Sequence, residues 1–263
     1  MKKKTYYLVL IITILGFFLG CGMYYYYAPP PKRNPYHITK RHDDTVRLAY
    51  IGDSWAFYHQ PYDKQISNRL SSKLNHPAIV SSLGFSGRSS KEIYWYMFDN
   101  PEMVSFLSKG YDYCFVAVGI NDANKKMSTN YYKQSMSHII DFLLTNKITP
   151  IILEIPDYDI ERMYRWEIPS RKLLRPFSMM ITGTPVNCKE EFRRSLNELI
   201  AEKNYSDKIH VIRYKSWNTN YSDDLKTLYC NDGIHLNENG YAKLDSCIVE
   251  ACAFLRCHPI NHP

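Results

Sequence analysis

From residue 46 to residue 255 the chain alternates short apolar runs with amphipathic stretches. Residues 47–51 (Arg-Leu-Ala-Tyr-Ile) read as a strand and 78–81 (Ala-Ile-Val-Ser) as a second, short one. Residues 113–118 are continuously apolar, the pattern of a strand covered on both faces. Residues 150–155 and 209–212 supply two more strands. Between them lie helical patterns: 63–75, with Ile66, Leu70 and Leu74 at four-residue spacing, and 131–144. Residues 189–203 place Phe192, Leu196, Leu199 and Ile200 on one face, and 237–255 close the chain as a helix. Five strands alternating with helices predict a three-layer α/β/α domain around a five-stranded, mostly parallel sheet. In such sheets the working site lies in the crevice beyond the carboxyl ends of the strands.

The first 45 residues follow another pattern. Lys2-Lys3-Lys4 precede an uncharged stretch, 5–31, whose core from Tyr6 to Leu19 is almost wholly apolar. A basic flank followed by about twenty apolar residues describes a single membrane-spanning helix or a signal sequence. Because lysines stay on the cytoplasmic side, the remainder should lie across the membrane. Tyr24 to Tyr27 would sit at the interface, where amphipathic rings are favoured, and Pro29-Pro30-Pro31 should end the helix and begin an extended spacer. Phe18-Leu19-Gly20-Cys21 also resembles a bacterial lipoprotein processing site, with Cys21 as the lipidated residue. Anchor, lipoprotein and cleaved signal sequence all place the domain outside the cytoplasm of a bacterium, in the periplasm or at the cell surface, and the first two, which are favoured, attach it to the membrane. The expected organisation is therefore an anchor or signal segment at 1–31, a polar linker at 32–45, and one domain at 46–263.

Composition adds three points. The net charge of +7 suits an anionic partner, but the basic residues form no stripe resembling a nucleic-acid module, so nucleic acid is not an expected partner. Tyrosine is abundant, at 23 residues, which suits membrane interfaces and sugar-binding grooves, with compositional drift as the equally weighted alternative. Of the seven cysteines, six remain once Cys21 is set aside; none has metal-site spacing, and one disulfide of unreadable pairing is compatible with them.

Four polar motifs fall at the expected strand ends. Gly52-Asp53-Ser54 follows the first strand, placing a serine where a strand turns into a helix. Gly84-Phe85-Ser86-Gly87 follows the second, and Gly87 can bring its backbone N–H close to a ligand because it has no side chain. Gly119-Ile120-Asn121-Asp122 follows the third, and Asn121 offers a neutral amide donor. Asp232-Gly233-Ile234-His235 precedes the last helix. A serine hydroxyl needs a base to become a nucleophile, neutral imidazole is suited to that task, and an acid three residues earlier can orient the ring. Asp53 and Asp122 are expected to fix turns.

Together, in this order, these motifs resemble the four blocks of the SGNH (GDSL-like) hydrolases over residues 46–255. The resemblance implies a flavodoxin-like α/β domain with Ser54 as nucleophile, His235 as general base and Asp232 as its partner. It also implies an oxyanion hole made of the Ser54 and Gly87 N–H groups and the Asn121 amide. No metal or organic cofactor is implied. Two positions depart from the family's commoner pattern: Trp55 follows the serine, where it would fill the pocket floor, and Ile120 stands where glycine is usual. An alternative use of Asp53, Asp122, Asp232 and His235 is as hard-metal ligands of a phosphoesterase.

Residues 156–186 look like an insertion, in which arginines and aromatics alternate. Arg162, Arg165, Trp166 and Arg171 are the candidate substrate-binding residues, suited to stacking on sugars and pairing with acidic groups; alternatively the aromatics simply pack on the domain. The expected reaction is removal of a small acyl group, acetyl above all, from a carbohydrate or related ester. A membrane-tethered polysaccharide O-acetyltransferase, fed by an integral-membrane acyl donor, would use the same triad. A non-catalytic glycan-binding protein on the same scaffold is a third possibility.

Overall fold

A computed structural model of the chain describes residues 2–41, 43–166 and 169–258. Helix α1 (Lys2–Tyr26) is uninterrupted, long and apolar enough to cross a membrane, and exposed along nearly its whole length. It ends three residues before Pro29, where the Tyr27 and Ala28 N–H groups both donate to the Met23 carbonyl at 3.0 Å. Residues 28–41 are a strap bound to the domain. Tyr36 and Ile38, two apart and so on one side of an extended chain, pack inward. The Ile38 N–H donates to Asn146 Oδ1 and the Arg33 N–H to Tyr94 Oη, both at 2.8 Å.

The domain then runs β1 (Val46–Gly52), α2 (Ser54–His59), α3 (Asp63–Leu74), β2 (Ala78–Gly84), α4 (Ser90–Asp99), α5 (Pro101–Leu107) and β3 (Tyr113–Ala117). It continues through α6 (Ile120–Lys125), α7 (Thr129–Thr145), β4 (Thr149–Leu153), α8 (Ile160–Trp166), α9 (Pro169–Thr182) and α10 (Lys189–Glu202). The last elements are β5 (His210–Ile212), α11 (Tyr221–Thr227) and α12 (Glu238–Cys257). All strand pairs are parallel, in the order β2-β1-β3-β4-β5. This is the flavodoxin-like order, whose crevice opens between β1 and β3.

The inner strands are buried because they are apolar throughout: Leu48 to Ile51, Cys114 to Ala117 and Ile151 to Leu153 are 3% exposed or less. Helices α3 and α12 pack together on one side of the sheet, and α4, α7 and α10 on the other. Two elements between β2 and β3 have no counterpart in the hydrophobic pattern read above. Helix α4 begins with a capping box, Ser89 with Glu92, and buries Ile93, Tyr94 and Met97 beside polar residues that blur its period. Helix α5 starts at Pro101 behind the Asn100 cap.

Strand β2 runs three residues past the four that its apolar run suggests. Ser82 is buried there because Asp63 accepts from its N–H at 2.8 Å and its hydroxyl at 2.5 Å. Residues 156–186 carry α8 and α9. Helix α9 leans on α1: a Cβ added to Gly22 would stand 2.7 Å from the Phe177 ring and 2.8 Å from Ile181, so the two helices are in close contact there. All seven cysteines are free thiols, so the disulfide that their number permits is not formed.

Candidate active site

The turn after β1 delivers Ser54 as the first residue of α2, 8% exposed. Asp53 caps this helix, its Oδ1 accepting from the Trp55 N–H at 3.0 Å. Gly84, at the end of β2, makes the close approach possible. A Cβ there would lie 2.0 Å from the Phe57 nitrogen, so any larger residue would push α2 off the sheet. Trp55 points into the core, wholly buried against Trp217, and so anchors α2 from beneath.

His235 reaches the serine from the loop before α12. That loop is closed by the Cys230 N–H on the His235 carbonyl (2.7 Å) and the Asn237 N–H on the Leu228 carbonyl (2.9 Å). The Tyr221 hydroxyl holds the Gly233 carbonyl at 2.7 Å. His235 Nε2 lies 2.9 Å from Ser54 Oγ, and His235 Nδ1 lies 2.5 Å from Asp232 Oδ2. A carboxylate only accepts, so Nδ1 carries the proton and Nε2 is left to accept from the serine hydroxyl.

The second Asp232 oxygen accepts from the Ile234 and His235 N–H groups at 2.9 and 3.0 Å. Burial pushes the Asp232 carboxyl up, but the His235 side chain and the two backbone donors outweigh it and hold the pKa at about 2. It therefore stays anionic at any ordinary pH. The Tyr58 ring, one helical turn after Ser54, meets the His235 ring edge-on at 5.0 Å.

Asn121 lies on α6, across the crevice. Its Nδ2 donates to Asp53 Oδ2 at 2.9 Å, which occupies one of its two N–H bonds and orients the other. Burial drives the Asp53 carboxyl up to about 7, against the opposing pull of the Trp55 N–H, the His235 charge and the Asn121 amide. Asp122 accepts from the Ser90 N–H (2.8 Å) and hydroxyl (2.6 Å), tying the start of α6 to the start of α4. Burial raises it to about 6. Gly87 stands between these elements with φ +74, and a Cβ there would meet nothing within 4 Å, so its backbone faces open space.

The four residues of the metal alternative do not gather: Asp122 is committed to Ser90 and Asp53 to Trp55 and Asn121. Among the described residues no group of three or more His, Cys, Asp or Glu side chains is arranged to hold a metal ion.

A cavity of about 460 Å³ adjoins the Gly87 loop. Tyr25 and Tyr26 from the end of α1 line it, with Arg88, Lys125, Arg171 and Arg175. Of the insertion residues singled out in the sequence, Arg171 thus reaches this cavity. Arg162 does not; its N–H caps α8 through Asp159 Oδ1 at 2.8 Å. The side chains of Arg165 and Trp166 lie outside the described residues. Of the other aromatics of the insertion, Phe177 lies against Gly22 of α1 and the two tyrosines pack on the domain. Tyr158 is buried, and the Tyr164 hydroxyl donates to the Val186 carbonyl at 3.1 Å while the Arg175 guanidinium stacks on its ring at 3.3 Å.

The sequence reading missed three features. One is the hold of Asp53 on Asn121. Another is the Tyr58–His235 contact, whose only sequence signal is the four-residue spacing from Ser54 on a helix. The last is the contribution of α1 to the cavity wall.

The profile of the GDSL-like Lipase/Acylhydrolase family matches residues 50–243. No curated protein matches the sequence. Among solved structures, a lipase/acylhydrolase from Enterococcus faecalis superposes with a TM-score of 0.57 at 17% identity, covering 83% of this chain and 98% of that one. The acetyl xylan esterase AlAXEase gives 0.55 at 16% identity, over 78% and 99%. Axe2, an acetylxylan esterase from Geobacillus stearothermophilus, gives 0.51 at 17% identity, over 82% and 95%. At these identities the likeness is one of fold.

Proposed function

We infer, from the premise that this chain belongs to the GDSL-like lipase/acylhydrolase family, that it is a membrane-attached serine esterase with Ser54 as nucleophile. Its substrates are small acyl esters, acetyl above all, of a carbohydrate on the far side of the membrane from the cytoplasm. The observation that carries the reading is the relay from Asp232 through His235 to Ser54, at 2.5 and 2.9 Å, across 181 residues of sequence.

In this mechanism Ser54 Oγ attacks the ester carbonyl while His235 Nε2 takes its proton. Asp232, ionised throughout, stabilises the imidazolium that forms. The carbonyl oxygen becomes an oxyanion that the Ser54 and Gly87 N–H groups and the free N–H of Asn121 would receive. His235 then returns the proton to the departing alcohol, leaving an acyl-serine that water resolves with His235 as base. Acetyl as the acyl group is favoured by the acetylxylan esterases among the structural relatives. The basic flank and apolar length of α1 favour an anchor with the domain outside the cytoplasm; Cys21, exposed on α1, remains the residue that lipoprotein processing would use.

A transferase is the second reading, favoured by the position of α1, whose end lines the cavity beside Gly87. An acyl group handed over at the membrane surface would then pass from Ser54 to a glycan hydroxyl. The test is p-nitrophenyl acetate turnover by the full chain in lipid nanodiscs, with Ser54→Ala as control. Continuous, Ser54-dependent turnover that falls as the acyl chain lengthens supports the esterase. One equivalent of product followed by a stall identifies a trapped acyl-enzyme that lacks its acceptor. Turnover unaffected by Ser54→Ala eliminates both.

A further inference from the structure

The cavity next to Gly87 has walls that the catalytic relay does not use. Four of its lining side chains are cationic, Arg88, Lys125, Arg171 and Arg175, and a single one, Glu92, is acidic. Glu92 is fully engaged: it accepts from Arg88 at 2.8 Å, from Lys125 at 2.9 Å, and from the Ser89 N–H and hydroxyl, both at 2.9 Å. It therefore fixes two of the cations in place and offsets one of four charges. Arg175 is fixed differently, its guanidinium lying flat on the Tyr164 ring at 3.3 Å. Like charges gathered this closely repel one another, and an anion among them relieves that repulsion.

The remaining wall places the cavity relative to α1. Tyr25 and Tyr26, at the last turn of that helix, form one side. Helix α9, which carries Arg171 and Arg175, packs on α1 at Gly22 and turns Leu173 (80% exposed) and Met180 (69% exposed) outward. Large apolar side chains beside arginine and lysine, on a helix that touches a membrane-length helix, are the composition of an interfacial element. With α1 in a bilayer, the cavity mouth would open at headgroup level, next to Gly87.

We propose that this cavity is an anion subsite, which binds a phosphate or carboxylate carried by the ester substrate and so selects anionic esters presented at the membrane surface. The inference deepens the esterase reading and rests on it for the word substrate; anion binding itself does not depend on catalysis. Arg171 and Arg175 contribute directed, charge-assisted hydrogen bonds suited to either group. Gly87 lines the cavity and also belongs to the proposed oxyanion hole, so one loop is common to both.

The experiment uses the full chain in phosphatidylcholine nanodiscs. Inorganic phosphate and glucose 1-phosphate are titrated by calorimetry into the wild type, Arg171→Gln and Arg175→Gln, with melting temperatures checking that the variants are folded. The expected result is saturable binding that weakens about tenfold or more in each variant, one charge-assisted contact being worth about that factor. In parallel, kcat/KM is compared for acetylated glucose 1-phosphate and acetylated methyl glucoside; their ratio should exceed one in the wild type and fall about tenfold in the variants. Repeating the titration in phosphatidylglycerol discs separates the sources of the anion. Weaker phosphate binding there means that lipid headgroups compete for the subsite, and unchanged binding means that it is reserved for the substrate. Absence of saturable binding in the wild type, or equal binding in folded variants, overturns the proposal whether or not the protein hydrolyses esters. Loss of Ser54-dependent turnover with phosphate binding intact overturns the esterase reading alone.

Discussion

Asn121 donates an amide N–H to Asp53 Oδ2 at 2.9 Å, so the residue that caps the helix of Ser54 also orients a donor on the opposite lip of the crevice. The proposed nucleophile, Ser54, and the proposed oxyanion donor, Asn121, thereby share one buried carboxyl as a common reference. This is the kind of preorganisation that makes a polar site effective, because the donor need not be reoriented as charge develops.

Removing Asn121's amide should lower kcat by about 10²–10³, the loss expected for one oxyanion donor. Asp53→Asn keeps the shape but replaces one acceptor oxygen by a donor, so it should lower kcat about 10- to 100-fold through misplacement of Asn121, with little change in KM. Steady-state kinetics on p-nitrophenyl acetate check both, and a kcat for Asp53→Asn equal to that of the wild type would show that the tether is dispensable.

Asp53 also predicts a pH dependence of stability. Its folded pKa, about 7, lies above the ordinary carboxyl value near 4, so its contribution is fully present below about pH 4 and is lost as pH rises through 7. Asp53→Asn cannot ionise. Its melting temperature should therefore gain on the wild type between pH 5 and pH 8; parallel melting curves over that range would contradict the assignment.

Ser54→Ala and His235→Ala should each reduce the rate by several orders of magnitude, because the relay works as a unit. Asp232→Asn should cost about 10⁴ in kcat by stabilising the wrong imidazole tautomer. Because the Asp232 pKa is held near 2, its stabilising contribution is present above about pH 4 and is lost only as pH falls through 2. The acid limb of the wild-type rate profile, measured from pH 4 to 8, should accordingly contain no step from this group.

His59, at the end of α2, is buried between Asp245 on α12 (Nε2–Oδ1 2.9 Å) and Asp63 with Ser82 (Nδ1–Oδ1 3.2 Å and Nδ1–Oγ 2.8 Å). Burial opposes its charge, but the hydrogen bonds to the two carboxyls outweigh it and raise the pKa above its ordinary value near 6.5. The stabilisation is then complete below about pH 6.5 and is lost as pH rises through the folded pKa. His59→Gln should lower stability by about 3–5 kcal/mol at pH 6, the effect of breaking a buried pair, and by less at pH 9. Thermal melts at the two pH values decide this; an equal loss at both would mean that His59 is neutral.

The residues proposed to do the chemistry were legible in the chain because each sits where a local rule puts it. Apolar runs such as 113–118 determine strands, strand ends determine crevices, and Gly-Asp-Ser, Gly-x-Ser-Gly, Gly-x-Asn-Asp and Asp-x-x-His occupy those ends with residue types suited to acyl transfer. Asp232 and His235 are three apart on one loop, so even their contact is local. Local rules could not reach contacts made between distant elements. The tether from Asp53 to Asn121 and the imidazole of His59 between α3 and α12 depend on how separate elements are brought together, and each residue alone reads as an ordinary turn or helix position. The same holds for the 28–41 strap, polar in composition yet bound to the domain through Tyr36 and Ile38, and for Tyr25 and Tyr26, which composition assigns to a membrane interface and folding places in a cavity wall. The sequence alone determined the sheet, its crevice and the chemical types within it, because those follow from periodicity and from short motifs. The orientation of the Asn121 amide and the cationic cavity beside Gly87 were decided by tertiary packing, which alone brings side chains from different elements within hydrogen-bonding distance.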